Sequence, residues 1–199
     1  MLRTRLFRLS LGAVVCACTF FGWKLTALSA YESAQYTVVE SESSFEIREY
    51  PDLIVATTKM KKTNSQGRDG SFMRLFQYIS GNNENDQKIA MTTPVFMDPR
   101  TKTEQGQMEF VMPKTIAESD VPKPSSEKVV IQKRVGGRFA VIRFSGRMNT
   151  ESNAQAEKKL RNWMRDKKLV EDAAPVSAGY DPPWTPGKFR RNEILIRLK

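Results

Sequence analysis

The chain has 199 residues, 40% of them hydrophobic and 27% charged, with a formal net charge of +10, a balance that suits one globular domain with a sizeable core. It has no histidine, and its two cysteines, Cys16 and Cys18, both lie in the apolar N-terminal stretch. The rest of the chain can therefore hold no disulfide, no thiolate nucleophile, no histidine general base and no cysteine or histidine metal site.

The chain opens with a basic head, Arg3, Arg5 and Arg8, followed by an uncharged run over residues 9–23 that Lys24 closes. This is the layout of a secretory signal, with the small residues of Ala27-Leu28-Ser29 at a candidate cleavage point. The run is short beside the roughly 20 apolar residues of a spanning helix. An uncleaved anchor with its basic end in the cytoplasm remains the alternative. Cys18 is a poor lipidation site, because Phe20 and Phe21 come soon after it. We therefore expect residues 1–30 to be a signal peptide or N-terminal membrane anchor and residues 31–199 to be the functional domain. That domain is expected to be exported, periplasmic or membrane-anchored outside the cytoplasm. Its mild positive excess suits anionic ligands or membrane surfaces. No basic stripe interleaved with aromatics marks a nucleic-acid face.

Strands are expected over residues 36–40 and 45–50, the latter with Phe45 and Ile47 on one face and Glu46 and Arg48 on the other. A turn at Pro51-Asp52 leads into a β-branched strand over residues 53–60. After a polar loop, Phe72, Leu75, Phe76 and Ile79 recur at helical spacing, with Ser71 as N-cap and Gly81 as stop. Strands return over residues 88–97 and 107–112. Met91 and Pro94 in the first of these suggest an edge strand or bulge.

The second half repeats this order. Strands over residues 128–134 and 138–146 suggest a hairpin around Gly136-Gly137. A helix over residues 150–168 places Ala156, Leu160, Trp163 and Met164 on one face. Strands over residues 175–180 and 192–198 come next, and the Pro-rich residues 121–126 connect the halves. Strand, strand, helix, strand, strand, used twice, predicts pseudo-twofold symmetry. Two four-stranded antiparallel sheets, each backed by a helix, would curl into a distorted β-barrel with the helices outside, an α+β fold in one domain.

Three segments, Lys88-Ile89-Ala90-Met91-Thr92-Thr93-Pro94-Val95, Gly179-Tyr180-Asp181-Pro182-Pro183 and Arg190-Arg191-Asn192-Glu193-Ile194, together with Phe45-Glu46-Ile47-Arg48, resemble the SOUL/haem-binding family in order and spacing over residues 36–199. The resemblance implies a pseudo-twofold antiparallel barrel of about eight strands with two flanking helices. It also implies haem or another tetrapyrrole as ligand, in a shallow groove beside the first helix and the loop before the last strand. A flat ring with two carboxylates needs apolar contact and cations at the rim. Phe72, Met73 and Phe76 are the candidates for contact, and Arg68, Arg74, Lys188 and Arg190 for the propionates. Some members ligate iron through a histidine, which this chain lacks. In non-ligating members the propionate-facing positions match Asp69, Gln77 and Thr185, none of them basic.

The expected function is non-catalytic tetrapyrrole binding without histidine ligation, as carrier, buffer or scavenger. The alternative is a module of the same fold that lost the tetrapyrrole and takes a lipid, another apolar anion or a protein partner in the groove. Glu109, Glu193 and Tyr180 could do acid–base work, but nothing in their spacing specifies it. The methionines are scattered and form no metal-binding tract, so neither a catalytic residue nor a metal ligand is assigned.

Overall fold

The computed structural model describes residues 31–60, 69–98, 106–182 and 184–199. Residues 32–199 form one compact unit. In chain order its elements are β1 (Glu32–Ser33), β2 (Thr37–Glu42), β3 (Phe45–Tyr50), β4 (Leu53–Lys59), α1 (Ser71–Ile79), β5 (Thr92–Thr93), β6 (Val95–Asp98), β7 (Gln107–Val111), α2 (Lys114–Ala117), β8 (Val130–Arg134), β9 (Gly137–Ser145), α3 (Thr150–Asp166), β10 (Val176–Gly179), a 3-10 turn (Gly187–Phe189) and β11 (Arg191–Arg197). Among the described residues no helix is long and apolar enough to cross a membrane.

Nine strands form one sheet in the order β2-β3-β9-β11-β10-β6-β7-β4-β8, and β1 pairs with β5 separately. Every pairing in the large sheet is antiparallel. Leaving β2 aside, the order maps onto its own reverse when β3 is exchanged for β8, β4 for β9, β6 for β10 and β7 for β11. The sequence repeat is therefore a structural twofold. Its axis passes between β6 and β10, where Phe96 stands opposite Ala178.

The repeats do not form two separate four-stranded sheets, as expected from sequence. The first strand of each repeat crosses over to the second strand of the other, β3 to β9 and β8 to β4. The expected hairpin around Gly136-Gly137 is absent for the same reason, since β8 and β9 are adjacent in sequence but pair elsewhere. Only Pro51 and Asp52 separate β3 from β4, which stand second and eighth in the sheet. So short a link forces the sheet to curl back on itself, giving the distorted antiparallel barrel.

The two crossover links touch. A Cβ on Gly136 would lie 2.3 Å from the Tyr50 carbonyl oxygen and 2.4 Å from the Pro51 carbonyl carbon. Glycine is needed there because two backbones meet. Asp52 clips the crossing by accepting from Gly136 N at 2.8 Å and from Lys133 at 2.9 Å.

From α1 to β6 the structure differs from the sequence reading in three respects. Of the strand expected over residues 88–97, residues 88–91 are not strand, and β5 and β6 stand on either side of Pro94, whose bond to Thr93 is cis. β6 is central in the sheet, between β10 and β7, and not an edge. Ser71 is the first helical residue of α1, and Gly70, at φ 84°, is the N-cap. The capping acceptor is instead Asp69, whose carboxylate takes the Ser71 N–H at 3.1 Å and hydroxyl at 2.7 Å. Gly81, at φ 117°, lies just past the end of α1 as expected.

Both faces of the sheet are covered. α3 lies on one flank, where Ala156, Leu160, Trp163 and Met164 pack on Ile47, Ile142 and Ile194. Trp163 stacks on Phe45 at 5.1 Å. α1 covers the other flank, with Leu75, Tyr78 and Ile79 against Ala56, Met108 and Phe110. Tyr50, Val55, Phe96, Val141 and Leu195 fill the space inside the curl.

Candidate functional site

The barrel interior holds charges at twofold-related places. Arg48 on β3 pairs with Glu193 on β11 at 2.8 Å, both side chains fully buried. Arg134 on β8 pairs with Glu109 on β7 at 2.6 Å. The register equates them, since Arg48 stands opposite Phe139 as Arg134 stands opposite Leu53. Each pair joins one repeat to the other.

Around Glu193 both repeats add to a cage. Its carboxylate also accepts from Tyr180 at 2.7 Å and from Arg191 at 2.7 Å and 3.0 Å. Arg48 donates to Glu46 and Tyr50 and lies 4.2 Å from the Tyr36 ring centroid. Burial alone would raise the Glu193 pKa, but Arg48 and Arg191 outweigh it and hold the carboxyl below its ordinary range. Burial pushes the Tyr180 and Tyr50 hydroxyls well up. Sequence reasoning named Glu193 and Tyr180 but missed Arg48 as their partner, because the alternation in β3 does not say which face lies inside the barrel.

Six of the seven expected ligand residues fall within the described residues, and Arg68 lies outside them. Phe72, Met73, Arg74 and Phe76 share α1. Leu75, Tyr78 and Ile79 anchor that helix to the sheet. Met73 is 52% and Phe76 43% exposed, while Phe72 is half-buried. Phe72 and Phe76 stack at 6.1 Å with an interplanar angle of 13°, and Phe72 rests edge-on against Phe110. The apolar stripe read from sequence thus splits into the buried Leu75 and Ile79, a half-buried Phe72 packed on the core and an outward Phe76.

Arg74 reaches back to the end of β4, donating to Thr58 Oγ1 at 3.0 Å and to the Lys59 carbonyl at 2.6 Å. It ties α1 to the sheet. Lys188 and Arg190 stand apart from the α1 group in sequence, on the loop before β11. Lys188 lies over the Phe189 ring at 4.8 Å, and Arg190 Nε donates to the Thr185 carbonyl at 2.8 Å. Of the positions matched to propionate-facing residues, Asp69 caps α1, Gln77 is exposed and Thr185 N donates to Pro182 O.

The twofold barrel with one helix over each flank defines a class, and the comparisons identify it. The family model "SOUL heme-binding protein" matches residues 31–197, and the chain belongs to that family. It is 28% identical over 162 residues to Heme-binding protein 2 of Mus musculus, covering 78% of each chain. It is 26% identical over 156 residues to Heme-binding protein 1 of Xenopus tropicalis, covering 76% of this chain and 82% of that one. Among solved structures, the EcmrR C-terminal domain superposes with a TM-score of 0.57 at 14% identity, covering 82% of this chain and 98% of that one. A hydrolase from Listeria innocua superposes at 0.55 with 9% identity, covering 81% and 94%. At such identities these two establish the fold alone.

Proposed function

We propose that the chain binds haem or an iron-free tetrapyrrole on the outer face of α1, without histidine ligation and without turning it over. The domain would work outside the cytoplasm as a carrier, buffer or scavenger. The observation that carries this reading is the pair Phe72–Phe76, in which the exposed Phe76 stacks on a half-buried Phe72, with Met73 exposed beside them, on a helix that Leu75, Tyr78 and Ile79 anchor to the sheet. Such a surface offers flat apolar contact to a planar ring. The relatives named above for haem binding add weight. Lys188 is an exposed cation suited to a propionate. Arg74, held at three points by β4 and Asp69, serves as a support for the helix. A bound tetrapyrrole would supply its own chemistry, and the protein's share is burial of one ring face. The non-catalytic reading rests on Glu193, committed to the buried Arg48, and Glu109, committed to the half-buried Arg134.

The test is a paired titration with haemin and iron-free protoporphyrin, followed by Soret absorbance and quenching of protein fluorescence. Equal, saturable responses support ring burial without axial ligation. A response to haemin alone would require an iron ligand and overturn the unligated reading. No saturable response to either would favour the alternative module, which the non-basic Asp69, Gln77 and Thr185 also favour.

A further inference from the structure

The twofold makes the two ends of the large sheet comparable, and they differ. β3 and β8 are equivalent strands, yet β3 carries β2 on its outer side while β8, among the described residues, pairs with β4 alone. The register matches Phe45, Ile47 and Arg48 to Ile131, Lys133 and Arg134. The same spacing carried back along the chain matches β2 to residues 123–128, which the structure holds elsewhere. Lys123 N donates to the Glu84 carboxylate at 3.1 Å, Ser125 N donates to Asn82 O at 3.3 Å, and Pro124 bridges to Asn83. The Pro122 carbonyl accepts from the Tyr78 hydroxyl at 2.9 Å. The stretch that would have covered β8 is thus pinned to α1 and the loop after it, and Pro124 has no N–H to give a ladder.

Which main-chain groups that edge offers follows from its neighbours. Ile54 O accepts from Met112 N, just past β7, at 2.8 Å. In an antiparallel ladder successive residues turn to opposite sides, so Leu53, Val55 and Thr57 face β8. Their partners Arg134, Gln132 and Val130 face back toward β4, and the N–H and C=O of Ile131 and Lys133 point outward. On β3 the matching positions, Phe45 and Ile47, are the ones that face β2, because Ser44 gives its carbonyl to Arg143 N of β9 at 2.9 Å. At either end of the bare edge Val130 is 52% and Val135 60% exposed, apolar area that an added strand would cover.

We propose that the outer edge of β8 is a docking site for an extended acidic segment of another protein, added antiparallel to β8 as β2 is to β3. Charge selects the occupant. A lysine on an open edge opposes pairing with a second copy of the same basic edge but favours a strand that brings a carboxylate. In β2 the residue opposite Ile47 is Glu40. A strand of that kind on β8 sets its carboxylate opposite Lys133, an attractive cross-strand pair. Asp52 already holds Lys133 at 2.9 Å, but the lysine side chain is 58% exposed, and an ammonium has three donors to share. Lys128, at the head of β8, is exposed, and the chain's net charge of +10 has the same sign. Main-chain bonds to Ile131 and Lys133 supply the affinity and the carboxylates supply the choice of partner. The proposal is independent of tetrapyrrole binding on α1.

The probe is a synthetic copy of residues 36–43, the strand that β3 already accepts, titrated into the full chain while main-chain amide NMR shifts are followed. The expected result is a saturable shift at Ile131 and Lys133, absent for a peptide carrying Glu40→Lys and Glu42→Lys. Lys133→Glu in the protein should weaken binding about fivefold. Lys133→Pro deletes the outward N–H and should weaken it about fivefold beyond Lys133→Ala. That N–H belongs to no ladder bond, so thermal melting and the porphyrin titration should stay unchanged in each variant. Should Lys133→Pro melt early, Lys133→Glu against Lys133→Ala decides the matter. No saturable shift, or equal binding of the lysine peptide, overturns the proposal. Shifts confined to Phe45 and Ile47 overturn it too, because the peptide has then displaced β2. So does self-association of the chain without peptide that Lys133→Glu abolishes, which makes a second copy the occupant.

Discussion

Glu193 is the residue whose loss should hurt the fold most. Glu193→Leu keeps the side-chain size but strips two N–H groups of Arg48 of their acceptor, at 2.8 Å and 3.0 Å. Arg48 is fully buried and cannot turn to water. Arg48 keeps Glu46 at 2.6 Å, so the loss falls at the lower end of the about 3–5 kcal/mol that breaking a buried pair costs, chiefly as charge left under-compensated. For a domain of this size that range is a fall in Tm of about 6–20 °C. Arg48→Met should cost less, because Glu193 keeps Tyr180 and the partly exposed Arg191. The double variant Arg48→Met/Glu193→Leu should be more stable than Glu193→Leu alone, since the stranded charge is gone. Urea unfolding of all three, followed by far-UV circular dichroism, decides it. If Glu193→Leu costs under about 1 kcal/mol, or if the double variant loses the full sum of both singles, the pair is not an interlocked buried unit and the reasoning is wrong.

The same carboxylate sets an acid limb. Its folded pKa lies below the reference 4.5, so its stabilisation is complete above that value and fades as pH falls toward the depressed one; the urea midpoint should drop in that range, and the drop should flatten in Glu193→Leu. Phe76→Ser should weaken porphyrin binding about tenfold, or ~1.4 kcal/mol, with Tm unchanged, because Phe76 is already 43% exposed. Arg74→Ala should do the reverse, losing about 1–2 kcal/mol of stability by thermal melt while porphyrin affinity in the titration holds. Gly136→Ala should cost at the upper end of ~1–3 kcal/mol in urea unfolding, since its Cβ would strike the Tyr50–Pro51 backbone.

The duplication was legible in the sequence because each repeat writes its own periodicities: period two in the strands, and the Leu160, Trp163, Met164 spacing in α3. Those local signals survive any assembly of the elements. The exchange of β3 and β8 between repeats was not legible. A two-residue link such as Pro51-Asp52 reads as a hairpin turn unless the curl of the whole sheet is known. The Arg48–Glu193 pair was hidden for a related reason. Both faces of this sheet are buried, so a charged residue in β3 carries no mark of inside or outside. At α1 the periodicity named Phe72, Leu75, Phe76 and Ile79 together, and only packing against β4 and β7 separates the buried Leu75 and Ile79 and the half-buried Phe72 from the outward Phe76.

That packing bears on where a ligand can go. Some barrels carry cargo inside, but this interior is filled by Tyr50, Phe96, Val141 and Leu195 and crossed by two arginine–glutamate pairs. The cleft among Tyr50, Leu53, Phe96, Arg134 and Phe139 has room for about one water. Admitting a ring the size of a porphyrin there would break the contacts that join the repeats, at a cost comparable to the whole stability of a small domain. A large planar ligand is therefore compatible with the fold only on its outside. The outward apolar residues of α1 stand on that filled core, so they can change without disturbing the barrel. This is why Phe76→Ser should cost binding in an intact fold, whereas Glu193→Leu should weaken everything together.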